Sequence, residues 1–311
     1  MEPQPHISVL LAEVLAGLQI APGSTIIDGT LGAGGHALAM IAAAGPDGFL
    51  LGIDRDEQAL TIASDRLASF GDRVALVHDS FDGMAAQVAQ IELAGVDAIL
   101  LDLGVSSMHL DNATRGFSFR QDGPLDMRMD PSGDGPTAAE IVNTYPAGEL
   151  AEIIWRYGED RLSRQIARRL VQGRPYTTTG ELAAAVKAAY PMRMQRKEKI
   201  HPATRTFQAL RIVVNDELGM VERVLPQIVA LLKPGGRAAI ISFHSLEDRI
   251  VKRFFKRASL DCICAPEQPI CTCQHRAAVK LVTRKPIVAT AGEIAQNPRS
   301  RSAKLRVVER V

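Results

Sequence analysis

The sequence predicts an α/β fold, a doubly wound parallel sheet interrupted by a mainly helical insertion. Three observations carry this. Short apolar runs bounded by Gly and Asp alternate with helical patterns through the first third of the chain. Those runs are apolar throughout rather than alternating, as expected of parallel strands buried on both faces. The alternation stops after Asp102 and resumes after Pro202.

Residues 25–28, 49–54, 74–78 and 98–102 read as the first four strands, with crossover helices over 33–44, 57–70 and 84–93. Residues 109–136 are rich in Gly, Asp and Pro, and helical patterns follow over 150–157, 161–172 and 179–189. A long helix is expected from Thr204, broken or restarted at Pro226, because proline suits a first turn and not an interior. Lys233-Pro234-Gly235-Gly236 reads as a turn into a strand over 238–243. A helix from Glu247 and strand-like pieces over 279–283 and 304–311 complete the chain. The expected domains are therefore a discontinuous sheet domain, 1–108 with 205–311, and a helical insertion, 109–204.

Composition narrows the class. The 311 residues are 46% hydrophobic and 23% charged, which excludes wholesale disorder. Only 5% are aromatic, so Ala, Leu, Ile and Val must build the core. No apolar run approaches the ~18 residues of a membrane span. No secretory signal is visible, and a reducing cytoplasm is the expected compartment. The four cysteines form a C-x-C, six residues, C-x-C array: Cys262, Cys264, Cys271 and Cys273, with His275 two residues on. Four thiolates can bind zinc. The pairs are tighter than the common C-x2-C knuckle, however, and the expectation is reduced free thiols and no metal, in a loop stiffened by Pro266 and Pro269, a structural metal and a redox pair being the competing readings.

Gly32-Ala33-Gly34-Gly35-His36-Ala37 follows the first strand and opens the first helix. Small residues let the backbone approach a ligand there, and the helix N-terminus offers free N–H groups. Asp54 ends the second strand, placed to accept from ribose hydroxyls. As G-x-G-x-x-A the run fits a dinucleotide site. Counted from Asp28 it also fits the looser D-x-x-x-G-x-G loop of S-adenosylmethionine enzymes. His78-Asp79-Ser80-Phe81 ends the third strand, where an aromatic and an acid could hold adenine, core packing of Phe81 being the rival. Asp102-Leu103-Gly104-Val105-Ser106-Ser107 ends the fourth, beside the first in the expected order, where ligands collect. An acid there suits transfer to an exocyclic amine, whose delocalised lone pair needs acceptors for its protons.

Several motifs together resemble one family. They are Ser8-Val9-Leu10-Leu11-Ala12-Glu13-Val14-Leu15, Asp28-Gly29-Thr30 with Gly34-Gly35-His36, and the Asp102–Ser107 run. With them stand Arg115-Gly116-Phe117-Ser118-Phe119, the run from Asp122 to Asp130, Ser242-Phe243-His244-Ser245-Leu246-Glu247-Asp248-Arg249, and Asn297-Pro298-Arg299-Ser300-Arg301-Ser302. From His6 to the C-terminus the chain resembles the bacterial ribosomal RNA small subunit methyltransferase H family, which methylates N4 of a cytidine in the decoding region of 16S rRNA. The resemblance implies a class I, Rossmann-like, S-adenosylmethionine-dependent methyltransferase sheet, with 16S rRNA or the small ribosomal subunit as partner. It implies that Gly34, Gly35 and His36 line the cofactor site, with Asp54 at the ribose, Phe81 near the adenine and Asp102 beside the methionine end; the chemistry of the amine adds the expectation that Asp102 helps to polarise it in catalysis. The family usually has Pro-Gln after the two serines. This chain has Met108-His109, so His109 stands where an amide would contact cofactor. An NAD-dependent oxidoreductase and a non-catalytic RNA-binding assembly factor remain the alternatives.

The formal net charge of +1 hides a segregation. Residues 156–205 hold 12 Lys+Arg against 4 Asp+Glu, residues 249–311 hold 14 against 4, and the remainder holds 10 against 27. Two basic regions point to phosphate contacts, solvated helix faces being the competing reading for Arg161, Arg164, Arg168 and Arg169. Arg193, Arg196, Lys197, Lys199 and Arg205 are expected to face substrate. Phe117, Phe119, Met127 and Met129 could stack beside an extruded cytosine, or simply pack a core. His244 is expected to contact substrate or orient a loop, and not to serve as a base.

Overall fold

The computed structural model describes residues 8–195, 200–265, 268 and 270–311. Arg196, Lys197 and Lys199, and likewise Pro266 and Pro269, lie outside the described residues. The chain divides into two compact units: residues 1–104 with 218–311, and residues 105–217.

The first unit is a sheet of β1 (Thr25–Asp28), β2 (Phe49–Asp54), β3 (Val74–His78), β4 (Val96–Asp102), β5 (Leu232–Ser242), β6 (Val279–Leu281), β7 (Ile287–Val288) and β8 (Lys304–Arg310). Their order is β3-β2-β1-β4-β5-β8-β6, with β7 also paired to β8. The first five strands are parallel to one another, and β8 runs antiparallel to β5, β6 and β7. An all-parallel dinucleotide sheet would continue from the fifth strand to the sixth without that insertion.

Unbroken apolar strands are explained by two cores, one on each face. Ile26, Leu50, Leu100 and Ile241 point into one, with Met40 and Ile41 of the helix Gly35–Ala43 and Val14 and Leu18 of the helix Leu11–Leu18. Their strand neighbours Ile27, Leu51, Leu101 and Ile240 point into the other, with Val224 and Ile228 of the helix Glu217–Leu231 and Val251 and Phe255 of the helix Ser245–Ala258. Successive strand residues face opposite ways, so a sheet covered on both sides can tolerate no polar alternation.

Two expectations are corrected here. Pro226 lies inside the helix Glu217–Leu231, and the break falls earlier, at Asn215 and Asp216, where Asp216 has φ 49°. A proline inside a helix costs about 3 kcal/mol. Val221, Val224, Leu225 and Ile228 are all buried, each contributing roughly 1.5–3 kcal/mol, so packing overrides the local preference. The Lys233–Gly236 segment is not a turn before the strand but an excursion within β5. Val96 pairs with Leu232 and Ala98 with Arg237, so the four residues bulge out of register.

The second unit packs Ala138–Thr144, Ala147–Gly158, Ser163–Gln172, Thr179–Ala189 and Ala203–Val214 around Ile141, Ile154, Ile166, Leu182 and Phe207. Capping boxes fix two of its helix starts: Thr137 with Glu140 and Thr178 with Glu181. The unit runs past the expected boundary at residue 204, because Phe207, Ala209 and Leu210 of the last helix are buried in this core. Among the described residues no helix is long and apolar enough to cross a membrane.

Candidate active site

The chain winds from β1 outward through β2 to β3, then returns to lay β4 on the other side of β1. That reversal opens a crevice at the carboxyl ends of β1 and β4, where ligands settle in such sheets. Backbone and side-chain bonds fix the crevice walls. Gly29 N–H extends the ladder to the Leu100 carbonyl (3.0 Å), and Asp102 N–H donates to Thr30 Oγ1 (2.6 Å). Asp54, at the end of β2, accepts from Gly32 N–H with one oxygen (2.7 Å) and from Asp56 N–H with the other (2.9 Å). The acid expected at a ribose thus also ties down the glycine loop.

Gly34 caps the helix Gly35–Ala43 in the left-handed region, at φ 74°, which a residue with a Cβ adopts only with strain. A Cβ on Gly35 would come within 2.2 Å of Ser8 Oγ. His36 Nε2 lies 2.9 Å from the Val9 carbonyl, so that nitrogen carries the proton. Its Nδ1 then faces Asp102 Oδ2 at 3.9 Å as an acceptor. Gly34, Gly35, His36, Asp54 and Asp102 are therefore gathered around one end of the sheet. Phe81 opens a short 3-10 turn after β3 and rests half-buried against the core, its Cβ near Gly29. Asp79 beside it accepts from Ser80 N–H (2.7 Å) and Gln87 Nε2 (2.7 Å).

The electrostatics are set by acids crowded where solvent is scarce. Burial, with the neighbouring charges of Asp28 and Glu247, pushes the Asp102 carboxyl up to about 8. Burial also raises Asp28 to about 7, against a Thr30 N–H bond (3.2 Å) that favours its carboxylate, and Asp54 adds to the rise. Asp28 Oδ2 and Asp102 Oδ1 are buried, with no hydrogen-bond partner among the described residues. Unsatisfied buried acceptors are rare and mark either strain or an absent ligand. A cationic ligand that also carries N–H donors fits these atoms: the ammonium of S-adenosylmethionine donates, and its sulfonium adds positive charge without donating.

Asp28 and Glu247 were not among the expected site residues, although both lie in the quoted motifs. Glu247 is buried and accepts from Phe243 N–H (2.9 Å) and His244 N–H (3.1 Å). His244 caps the helix Ser245–Ala258, its Nδ1 accepting from Glu247 N–H (3.4 Å) and its Nε2 lying 3.1 Å from Glu247 Oε1. It orients this loop.

In the second unit, His109 occupies the third helical position of a capping box with Ser106, a place usually filled by Glu or Gln. Its Nδ1 accepts from Ser106 N–H (3.3 Å), and its ring stacks on Phe117 with centroids 4.8 Å apart. Phe117, Met127 and Met129 are buried, and Phe119 packs edge-on against Phe207. They are core residues of this unit rather than an open stacking surface. Arg115 donates to the carbonyls of Arg128 and Met129, while Asn215 takes Met129 N–H and gives to the Met127 carbonyl. The Arg-Gly-Phe and Asp-Met-Arg-Met motifs are thereby held rigid. Arg161, Arg164, Arg168 and Arg169 are all exposed, the last three opposite buried Ile166, Ala167 and Leu170 on one helix. Arg193 is exposed and Arg205 half-buried.

A reversed strand between the fifth and sixth of a doubly wound sheet, with a crevice where one oxygen each of Asp28 and Asp102 lacks a hydrogen bond, is not the layout of a nicotinamide enzyme. It is the sheet of an S-adenosylmethionine-dependent methyltransferase. Within that class the chain belongs to the MraW methylase family, whose model matches residues 3–311. It is 52% identical to the ribosomal RNA small subunit methyltransferase H of Citrifermentans bemidjiense, over 100% of both chains. To the protein of the same name from Syntrophotalea carbinolica it is 53% identical, over 98% of each. Among solved structures, an rRNA methylase from Streptococcus thermophilus aligns with 97% of this chain and 92% of that one, at 12% identity and a TM-score of 0.39, too distant to add to the argument.

Proposed function

We propose that the protein methylates the exocyclic N4 amine of a cytidine in the decoding region of 16S rRNA. Gly34, Gly35, His36, Asp54, Phe81 and Asp102 hold the cofactor in this reading, and His109 joins them through family resemblance alone. The observation that carries it is Asp102, at the β1/β4 reversal with one oxygen buried and unpartnered. The rRNA substrate comes from the names of the relatives, and the nucleoside and its position from the motifs.

S-adenosylmethionine supplies a methyl group on a cationic sulfur that departs as a neutral thioether. The residues must therefore hold an amine nucleophile in line and need supply no strong base. The N4 lone pair of cytosine is delocalised into the ring until acceptors hold its protons. Ionised Asp102 accepts one of them, localising the pair on nitrogen, and the proton leaves after the N–C bond has formed. Confinement of both reactants supplies much of the remaining acceleration. Asp54 accepts from ribose hydroxyls, and Phe81 offers adenine an apolar face. The target base must leave any stem to be reached. The exposed arginines of the helix Ser163–Gln172 suit phosphates.

The test is methyl transfer from labelled cofactor to naked 16S rRNA and to small subunits, followed by nucleoside digestion. Label in N4-methylcytidine is expected, with Asp102→Ala roughly 100-fold slower. Label in any other nucleoside, or an undiminished rate for the variant, would overturn the reading.

A further inference from the structure

The loop between the helix Ser245–Ala258 and β6 gathers all four cysteines of the chain at one point. Cys262 Sγ lies 3.4 Å from Cys271 Sγ and 3.8 Å from Cys273 Sγ. Cys271 Sγ lies 3.9 Å from Cys264 Sγ and 3.6 Å from Cys273 Sγ. All four sulfurs fall within 4.8 Å of one another. A disulfide needs about 2.0 Å, so none of these contacts is a covalent bond. Four sulfurs at about 2.3 Å from a single zinc ion form a tetrahedron with edges of about 3.8 Å. The measured separations scatter around that edge.

Thiols do not gather this way for their own sake. S–H groups are weak donors and acceptors, and the described residues of the loop press no apolar core around them: Cys262 and Cys271 are exposed and Ile270 is 75% exposed. The surroundings instead suit thiolates. Ile263 N–H points at Cys273 Sγ (3.4 Å) and Cys264 N–H at Cys262 Sγ (3.5 Å), the outer bonds that steady metal-bound sulfur. His275 is occupied elsewhere, its Nε2 on the Arg257 carbonyl at 3.0 Å. The loop ends are fastened by Ala277 N–H to Asp261 Oδ1 and Ala278 N–H to the Ala258 carbonyl. The tight C-x-C spacing, which suggested free thiols, thus still brings the two pairs face to face.

We propose that Cys262, Cys264, Cys271 and Cys273 form a tetrahedral four-thiolate site for one zinc ion, which clips the two halves of this loop to each other. The site is closed, with no position left for substrate, so its role is structural. Metal binding supplies free energy that holds the loop folded.

The full chain, purified anaerobically without chelators, should carry one zinc per chain by elemental mass spectrometry. Its four thiols should resist a disulfide reagent under native conditions and all become reactive once a mercurial releases the metal. Cobalt substitution should give the charge-transfer and visible bands of a tetrahedral thiolate site. Cys271→Ser should lose the metal while still binding S-adenosylmethionine by calorimetry, which shows that the sheet unit remains folded. Four freely reactive thiols without metal would overturn the proposal, as would a disulfide, or iron in place of zinc.

Discussion

Affinity for S-adenosylmethionine should rise steeply with pH, because the ligand is a cation and the crevice acids are largely protonated without it. Asp102 titrates at about 8 in the ligand-free protein. At ~pH 6 only about one molecule in 100 carries its carboxylate, and selecting that form costs roughly 2.7 kcal/mol. The dissociation constant should therefore be up to about 100-fold weaker at ~pH 6 than at ~pH 9. This is a ceiling, since the side chain keeps 24% of its surface and solvent softens the burial. Asp28, at about 7, steepens the lower part of the curve. The assay is calorimetry in buffers of different ionisation heat, which counts protons released on binding. Between about one and about 1.5 protons should be released at ~pH 7, most of them from Asp102, and almost none at ~pH 9.5, and Asp102→Asn should flatten the profile. Binding independent of pH without proton release, or a variant with the wild-type slope, would refute the electrostatic reasoning.

The same acids have a stability signature. Their folded pKa values lie above the unfolded ones, so the folded state holds more protons and loses stability as pH rises from about 4 to about 8. Asp102→Asn should thus raise the melting temperature of the ligand-free protein at ~pH 8.5, by roughly 2–5 kcal/mol of stability, and have little effect at ~pH 4. Gly34→Ala forces a Cβ into a left-handed backbone position 3.3 Å from that of Ala63. It should cost about 1–2 kcal/mol in thermal melts and weaken cofactor binding. Arg211→Ala strands the buried Glu217 carboxylate, which Arg211 holds through bonds of 2.7 and 2.9 Å. A loss of about 3–5 kcal/mol in urea unfolding is expected. Changing Arg164, Arg168 and Arg169 to Gln should leave stability within about 0.5 kcal/mol, while RNA binding weakens and its salt slope shallows by about 2–3. Unchanged RNA affinity would make that face merely solvated.

The strands were legible because two-sided burial leaves a plain mark. Thr25–Asp28, Phe49–Asp54 and Val74–His78 begin and end where their apolar runs do. Helix Thr179–Ala189 was equally plain. Two-residue β7 and the short helix Ala291–Gln296 left no periodicity to find. Pro226 and the β5 excursion escaped because burial and sheet pairing overruled local preference. At the site, the glycine loop, Asp54 and Asp102 follow from their positions at strand ends. The place of Asp28 does not, because its raised pKa depends on burial across strands and, to a lesser degree, on the charge of Asp54. The exposed or buried fate of Met127 and Phe117 was likewise a tertiary matter, as was the convergence of the four sulfurs.

The central claim is tested most directly by mass-spectrometric mapping of 16S rRNA from cells with and without this protein. The account predicts that one N4-methylated cytidine in the decoding region loses that methyl group when the protein is absent. The wild-type chain should restore it and Asp102→Ala should not. A cytidine methylation pattern identical in the two strains would contradict the account.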